Sequence, residues 1–369
     1  MDQQRHKRII ISGGGTGGHI FPAISVANAL RKIDPEIEIL FVGAEGRMEM
    51  EKVPAAGFRI VGLPVAGFYR SFTFKNIKVI LKLSKSLSLA RKIIREFNPD
   101  VVVGVGGYAS GPVLWQAGKS GIPTLIQEQN SYAGLTNKIL ARKASKICVA
   151  YQGMEKYFPE GKIIKTGNPV RQNYDDLKSI KEEAYSYFNL SKKSPVILIL
   201  GGSLGAGTIN KSLSVNINKL KSSECQWLWQ TGMQYFENIE ALVSAASSHN
   251  ISVHGFINRM DYAYAVSDII ISRAGAGTIS ELCLVGKPVI LVPSPNVAED
   301  HQTRNAIALS ENEAAILIPD NQAIEKLVDE SINLVADENK KGRLAGNISR
   351  MADRNSDIRI AEEVLKLAD

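Results

Sequence analysis

A glycine-rich turn that carries a histidine is the first segment of the sequence with residue types suited to chemistry. The segment SGGGTGGH spans residues 12–19 and directly follows the apolar residues Ile9–Ile11. A glycine turn that leads into a helix presents backbone N–H groups and the positive end of the helix dipole to an anion. His19 could also act as a general base towards a hydroxyl group, because imidazole titrates near neutrality. The alternative is structural: the glycines allow tight strand–helix packing, and His19 makes a local hydrogen bond.

Two further glycine turns follow apolar runs in the C-terminal half of the chain. They are GGSLGAG at residues 201–207 and RAGAGT at residues 273–278. Three such turns in one chain favour ligands that contain phosphate. Glu281 comes early in the helix predicted after the last turn. Its carboxylate could accept hydrogen bonds from two vicinal ribose hydroxyls, or it could simply complement the helix dipole.

The first turn also fits the dinucleotide-binding pattern G-x-G-x-x-G, through Gly13, Gly15 and Gly18. In an NAD-binding unit, an acidic residue ends the second strand about 20 residues later and holds the ribose. Here the second apolar run is predicted to end at Gly43, and the nearest acid, Glu45, lies beyond it. An NAD-dependent oxidoreductase is therefore an alternative that the sequence disfavours.

A polar segment near residue 300 adds possible sugar ligands. It reads EDHQTRNA, opens a predicted helix, and contains Gln302 and Asn305, which could bind sugar hydroxyls or remain solvated. The sequence contains no Asp-x-Asp, the usual pattern for a metal-bound diphosphate. We therefore expect helix N-termini and cations such as Arg171 to stabilise any diphosphate, with no metal and no cofactor.

The order of predicted elements shows what must position these residues. Short, nearly continuous Val/Ile/Leu runs alternate with helical patterns, which predicts an α/β fold with parallel sheets covered on both faces. The order strand, glycine turn, helix begins again after a polar stretch that ends near Pro169–Arg171. We therefore predict two Rossmann-like domains facing a cleft, with the glycine turns at the carboxyl ends of the strands. Their predicted bounds are 1–170 and 171–352, with a final helix in about 353–369 packing back onto the first.

The composition limits the class of protein. Of 369 residues, 44% are hydrophobic and 22% are charged, as in a soluble globular protein. No apolar run approaches the roughly 18 residues of a membrane span, and no signal peptide is evident, so we expect a cytoplasmic chain. The three cysteines are widely spaced, which favours reduced core thiols over a metal site. The net charge of +7 indicates an anionic partner, although no strand pattern supports nucleic acid.

A basic helix predicted over about Asn76–Phe97 could contact anionic lipid. Aromatic residues precede it in the segment 68–74, and its lysines form one stripe: Lys78, Lys82, Lys85 and Lys92. Each lysine near an anionic membrane surface contributes roughly 1 kcal/mol of attraction. The alternative is a crossover helix whose apolar face packs on the sheet and whose lysines face water.

Seven motifs occur in order between Arg8 and about Ala306. They are GGGTGGHIFPAISVANAL, GVGGYASGPV, EQNSYAGLTNK, GNPVR, GGSLGA, SRAGAGTISE and EDHQTRNA. Together they resemble the peptidoglycan glycosyltransferases of bacterial cell-wall synthesis, which transfer N-acetylglucosamine from UDP-GlcNAc to lipid I and so make lipid II. The resemblance implies the GT-B glycosyltransferase fold and an inverting reaction without a catalytic metal.

The resemblance also implies roles for individual residues. His19 corresponds to the candidate base for the 4-hydroxyl of the N-acetylmuramoyl (MurNAc) residue, with Glu128 as its assistant or replacement. Gly14, Gly15 and Tyr108 fall on the acceptor side. Ile257 lies beside the uracil, Glu281 on the ribose and Gln302 on the GlcNAc hydroxyls. The full donor-binding set is Thr16, Gly17, Gly18, Asn130, Arg171, Ser203, Ile257, Ala276, Gly277, Thr278, Glu281 and Gln302.

The partners implied are UDP-GlcNAc, lipid I and anionic lipids, the last through the segment 68–92. The location implied is peripheral, on the cytoplasmic side of the bacterial inner membrane. A UDP-GlcNAc 2-epimerase shares the architecture and the donor, but it would turn over UDP-GlcNAc without an acceptor. It is the second alternative.

Overall fold

The computed structural model describes residues 6–65, 75–170, 174, 176–202, 205–297 and 300–369, with only the backbone for 75–78 and 80. The chain forms two compact units. The N-terminal unit comprises Met1–Val170 and Asp353–Asp369, and the C-terminal unit comprises Arg171–Ala352. Among the described residues each unit has one parallel sheet, which confirms the predicted α/β class.

The sheet of the N-terminal unit has seven described strands in the order β3-β2-β1-β4-β5-β6-β7. The strands are β1 Arg8–Ser12, β2 Glu38–Ala44, β3 Arg59–Leu63, β4 Val101–Gly104, β5 Thr124–Glu128, β6 Lys146–Val149 and β7 Ile163–Lys165. The helices between them are α1 Gly17–Ile33, α2 Glu49–Ala55, α3 Lys75–Phe97, α4 Ser110–Lys119 and α5 Leu135–Leu140. Ile9 and Ile11 pack against α1, whereas Ile10 contacts the core formed with α3 and α4.

The sheet of the C-terminal unit has six described strands in the order β10-β9-β8-β11-β12-β13. The strands are β8 Val196–Leu200, β9 Gln226–Gln230, β10 Ile251–His254, β11 Ile269–Ser272, β12 Val289–Leu291 and β13 Ile316–Leu317. The helices are α6 Lys181–Tyr187, α7 Gly207–Val215, α8 Ile217–Ser222, α9 Met233–Ala245, α10 Met260–Val266, α11 Ala276–Val285, α12 His301–Ser310, α13 Ala323–Ala336 and α14 Glu338–Arg350.

The last helix, α15 Ser356–Ala368, belongs to the N-terminal unit. Its apolar residues Ile360, Ala361 and Val364 share one face, because positions i, i+1 and i+4 lie together on a helix. That face is fully buried in the core that contains α1 and β1. Residues far apart in the sequence therefore complete one hydrophobic core.

Each sheet has one point at which the strand order reverses direction. In the N-terminal unit this switch point lies between the neighbouring strands β1 and β4, and in the C-terminal unit it lies between β8 and β11. Ligands of open α/β sheets bind outside the carboxyl ends of the strands at such points. A glycine turn follows each of these four strands.

Candidate active site

The N-terminal glycine turn links β1 to α1. Helix α1 begins at Gly17, earlier than the apolar pattern alone predicts, so His19 lies in its first turn. Gly14 and Gly15 have φ angles of 149° and 87°, which other residues rarely adopt. Thr16 and Gly18 are exposed. The first amides of a helix have no intrahelical acceptor, and those of Gly17 and Gly18 donate to no acceptor among the described residues.

A second glycine turn, after β4, packs directly against the first. A Cβ atom on Gly107 would lie 2.2 Å from the carbonyl oxygen of Gly14. A Cβ on Gly106 would lie 2.8 Å from Cδ2 of His19. Only glycine fits at both positions, so the turn after β4 packs directly against the imidazole of His19.

The imidazole of His19 is held through its Nδ1 atom. The Oγ1 atom of Thr16 lies 3.2 Å from Nδ1, and this hydroxyl makes no capping bond to the helix. The ring is partly exposed. With Nδ1 in contact with Thr16, Nε2 is the ring nitrogen to which the predicted role of general base would fall.

A buried carboxylate braces the N-terminal turn, and sequence reasoning missed it. Glu49, the first residue of α2, is 1% exposed. Its Oε1 atom accepts from the amides of Ala44 at 2.9 Å and Gly15 at 3.0 Å, and its Oε2 atom lies 3.1 Å from the same Gly15 amide. An acid in the first turn of a helix usually indicates dipole complementation. No local sequence signal distinguishes that role from a tertiary one.

Glu128, predicted as a second candidate base, is also buried. Oε1 accepts from the backbone and side-chain N–H groups of Asn130, at 3.1 and 3.3 Å. Oε2 accepts from Gly134 N at 3.0 Å and Asn137 Nδ2 at 2.8 Å. Burial raises the pKa of Glu128, and these hydrogen bonds oppose the increase. The carboxylate organises the loop that contains Asn130.

Two more residues complete the surroundings of the N-terminal switch point. Gln129 donates from Nε2 to the carbonyl oxygen of Val105 at 2.7 Å, which ties the end of β5 to the second glycine turn. Tyr108, which follows that turn, is 60% exposed. The structure thus brings together the predicted acceptor-side residues Gly14, Gly15 and Tyr108 with His19.

The C-terminal switch point is built from different contacts. Gly205 has a φ angle of 79°, and a Cβ there would lie 2.5 Å from the carbonyl oxygen of Thr231. Asn210 of α7 donates to that same oxygen at 2.9 Å and accepts from Nε1 of Trp229 at 3.0 Å. Neutral groups therefore hold this turn against β9.

An ion pair joins the two turns of the C-terminal switch point. Arg273 follows β11, and its guanidinium pairs with Asp320 while it donates to the carbonyl oxygens of Val292 and Pro293. Asp320 also accepts from the hydroxyl of Thr208, in the first turn of α7, at 2.9 Å. The Arg273 and Asp320 side chains are 18% and 19% exposed. Opposite charges thus neutralise each other beneath these turns.

The predicted donor-binding residues of the C-terminal unit lie at the carboxyl ends of its strands. Ala276, Gly277 and Thr278 form the first turn of α11, and Glu281 follows them on the same helix. The hydroxyl of Tyr264 lies 3.4 Å from Oε2 of Glu281. Burial, and secondly the charge of Glu281, raise the pKa of Tyr264, so this neutral hydroxyl is a donor to the carboxylate.

Gln302 and Ile257 are the two remaining described residues predicted to bind UDP-GlcNAc, and each makes a hydrogen bond that involves a backbone amide. Gln302 accepts from the amide of Ser294 at 2.9 Å through Oε1, which orients its side-chain amide. Ile257, buried after β10, donates its amide to Oε1 of Gln230 at 3.3 Å. Arg171 and Ser203 lie outside the described residues. No group of three or more His, Cys, Asp or Glu side chains suited to a metal occurs in the described part of the chain.

The dinucleotide alternative is affected by one detail of β2. The strand extends to Ala44, so Glu45 is the first residue after it, closer to the strand end than the sequence predicts. The position of Glu45 therefore no longer counts against an NAD site. The Gly15 amide of the glycine turn, however, donates to Glu49. Similarity to known proteins distinguishes an oxidoreductase from a glycosyltransferase.

Two family models match the chain. The glycosyltransferase family 28 N-terminal domain matches residues 9–149, and the glycosyltransferase family 28 C-terminal domain matches residues 196–363. Relatives from Parabacteroides distasonis and Bacteroides thetaiotaomicron are 58% and 56% identical over 99% of both chains. Both carry the name UDP-N-acetylglucosamine–N-acetylmuramyl-(pentapeptide) pyrophosphoryl-undecaprenol N-acetylglucosamine transferase.

Solved structures give the same answer for the fold. The structure of MurG from Acinetobacter baumannii is similar with a TM-score of 0.79 at 28% identity, over 98% of this chain and 99% of that one. A UDP-GlcNAc 2-epimerase from Neisseria meningitidis has a TM-score of 0.67 at 17% identity, over 98% of this chain and 100% of that one. The second likeness concerns the fold alone.

Proposed function

Because the chain belongs to glycosyltransferase family 28, we propose that it transfers N-acetylglucosamine from UDP-GlcNAc to the 4-hydroxyl of the MurNAc residue of lipid I, giving lipid II. The observation that carries this function is the 58% identity with a transferase of that name along nearly the whole of both chains. The family resemblance predicted from the seven motifs is thereby confirmed. The likeness to epimerases is one of fold and supports no epimerase activity.

The proposed reaction is a direct displacement at the anomeric carbon. Nε2 of His19 takes the proton of the acceptor 4-hydroxyl, and that oxygen forms a bond to C1 of UDP-α-GlcNAc from the face opposite UDP. The bond from C1 to the diphosphate oxygen breaks, which leaves a β-1,4 linkage and releases UDP. The contact of Thr16 with Nδ1 and the exposure of the ring support His19 as the base. The four N–H donors around buried Glu128 favour a supporting role for that carboxylate.

The developing charge on the diphosphate needs N–H donors and cations. The amides of Gly17 and Gly18, at the start of a helix of 17 residues, suit this role. We assign Arg171 and Ser203 to the same charge on the basis of their motifs.

The nucleoside and sugar are assigned to the C-terminal unit. Glu281 would bind the ribose hydroxyls, and Tyr264 holds its carboxylate in place. Ile257 would lie beside the uracil, and Gln302, oriented by Ser294, would contact the GlcNAc hydroxyls. The first turn of α11, at Ala276–Thr278, would lie around the nucleotide.

The membrane contact is assigned to α3. Its inner face, including Ala90 and Ile94, packs in the core of the N-terminal unit. Its outer face exposes Leu81, Lys82, Lys85 and Lys92. Helix α3 thus crosses over the sheet, and the basic residues of its exposed face support a contact with anionic lipid. None of the helices described has both the length and the apolar character that a membrane crossing requires.

We propose on this basis that the protein binds anionic lipid peripherally, on the cytoplasmic side of the inner membrane. Residues 66–74 lie outside the described part of the patch, as do the side chains of Lys75 and Lys78.

The function is tested by measuring UDP release from UDP-GlcNAc with and without a soluble lipid I analogue, in the presence of EDTA. Release that requires the analogue and survives EDTA is the expected result. Turnover of UDP-GlcNAc without the analogue would instead indicate an epimerase-like reaction. Dependence on an added divalent metal would contradict the proposed stabilisation of UDP by amides and cations.

A further inference from the structure

We infer that Glu49 is a positioning residue for glycosyl transfer: it turns the Gly15 amide inward and leaves the amides of Gly17 and Gly18 for the diphosphate of a substrate. This inference rests on the proposed function. Glu49 belongs to none of the seven motifs, and its side chain reaches the glycine turn from a different helix.

The contacts of Glu49 join two loops at the carboxyl ends of neighbouring strands. Ala44 ends β2, and Gly15 lies in the turn after β1. A single carboxylate thus accepts both amides, at 2.9 and 3.0 Å from Oε1. Movement of the turn away from β2 would break the bond to Gly15 and leave a buried charge with one donor fewer.

Two glycines make room for this side chain. A Cβ atom on Gly14 would lie 2.1 Å from Oε1 of Glu49, and a Cβ on Gly43 would lie 2.6 Å from its Cγ. The carboxylate therefore occupies a slot that only glycine leaves open on both sides. Glycine is therefore needed at position 14 for two reasons: it leaves room for the Glu49 side chain, and it adopts the φ angle of the turn.

Complementation of the α2 dipole does not explain this arrangement. Glu51 lies in the same helical turn and is exposed, where a carboxylate can serve the dipole without loss of hydration. Glu49 is instead buried, and its described acceptor contacts go to amides of other segments. Burial of a carboxylate is unfavourable unless such donors compensate it.

The negative charge of Glu49 repels a diphosphate, so attraction of the substrate cannot be its role. Its effect is geometric: the amide at Gly15 is used internally, and the amides of Gly17 and Gly18, which open α1, stay available to a ligand. The same segment carries Thr16 and His19, so the position of the turn also sets the position of the base. A displacement of 1 Å at a reacting group can cost about 100-fold in rate.

The first test is the substitution Glu49→Gln. The amide has nearly the same shape, and its oxygen can replace Oε1, but its NH2 group then lies at the Oε2 position, 3.1 Å in the wild type from the Gly15 amide. Two N–H donors face each other there, so the contact with Gly15 is weakened. We expect kcat for transfer to the lipid I analogue to fall about tenfold or more, while the Kd for UDP changes less than about twofold. The rate is expressed per UDP-binding site, so that loss of folded protein does not count.

Asp100→Asn is the matched control. Its Oδ2 atom accepts from the amide of Arg8 at 2.7 Å. It therefore also joins two neighbouring strands, β1 and β4, but at their amino ends. It should lower the Tm without changing kcat per site. Glu51→Gln controls for charge on α2. If Glu49→Gln retained wild-type kcat per site, or if Asp100→Asn lowered kcat equally, the positioning role would be wrong.

The second test uses the wild-type protein and does not depend on a variant that folds. Amide hydrogen exchange is measured in 15N-glycine-labelled protein, with and without UDP-GlcNAc and the lipid I analogue. The Gly15 amide should exchange slowly in every state, and the Gly17 and Gly18 amides should become protected only when substrate binds. Rapid exchange at Gly15 in the free protein would overturn the inference, even if UDP release had already established the transferase.

Discussion

The two switch points share one topology but are braced by opposite electrostatic means. In the C-terminal unit, Arg273 and Asp320 neutralise each other, and the amide of Asn210 completes the support. In the N-terminal unit, the turn is braced by the carboxylate of Glu49, bound to backbone amides. The imidazole of His19 lies on the same turn.

This difference matches the chemistry proposed for each side. A nucleotide site needs a rigid support. Because the charges of Arg273 and Asp320 cancel, this pair does not weaken the helix dipole of α11. A site of proton transfer needs a titratable group at a defined position, and geometry matters there more than net charge. Substitutions at the two switch points should therefore have separable effects, on turnover at one and on stability at the other.

The largest effect is expected for His19→Ala. Loss of the general base should lower kcat about 100-fold or more, with little change in Tm or in the Kd for UDP. UDP release with the lipid I analogue measures the rate. His249→Ala, an exposed-loop histidine of the C-terminal unit, is the control. A His19→Ala enzyme with nearly full turnover would remove the contrast between a chemical and a structural switch point.

A smaller effect, on stability, is expected for Arg273→Met. Asp320 would lose its cation in a largely buried position, and the free energy of unfolding of the C-terminal unit should fall by about 2 kcal/mol. Trp227 and Trp229, buried in β9, report this unfolding by fluorescence. Arg259→Met removes a more exposed pair with Asp261 and should cost clearly less than Arg273→Met. Equal losses in the two variants would refute the bracing role of Arg273.

The smallest effect concerns the pH dependence of Glu128→Gln. Because burial raises the pKa of Glu128, the folded protein binds this proton more tightly than the unfolded chain does. The contribution of Glu128 to stability is therefore largest at low pH and declines as pH rises through the raised pKa. Urea unfolding of both proteins, from about pH 4 upwards, should show the wild type losing stability relative to the variant. A difference that is independent of pH would contradict the raised pKa.

The sequence predicts most of the scaffold because the scaffold depends on repeated local patterns. Most strands arise from apolar runs in the sequence, and α3 spans Lys75–Phe97 against a prediction of Asn76–Phe97. Helix α1 is the exception at its start, because the apolar pattern begins after the glycines that form its first turn.

The contacts within the sites depend on packing between distant segments, and sequence patterns do not encode them. Glu49 and Gly15 are 34 residues apart, and Arg273 and Asp320 are 47 apart. Glu128 shows the same limit from the other side. The family resemblance makes Glu128 a candidate base, but the orientation of its carboxylate into the loop of Asn130 and Asn137 follows only from the folded chain.

The return of α15 to the N-terminal unit affects the order of events during synthesis. Domains usually fold as they leave the ribosome, the N-terminal one first. Here the core around β1 and α1 lacks Ile360 and Val364 until the whole C-terminal unit has been translated. The nascent N-terminal unit therefore exposes an apolar surface until residues 356–368 have been synthesised.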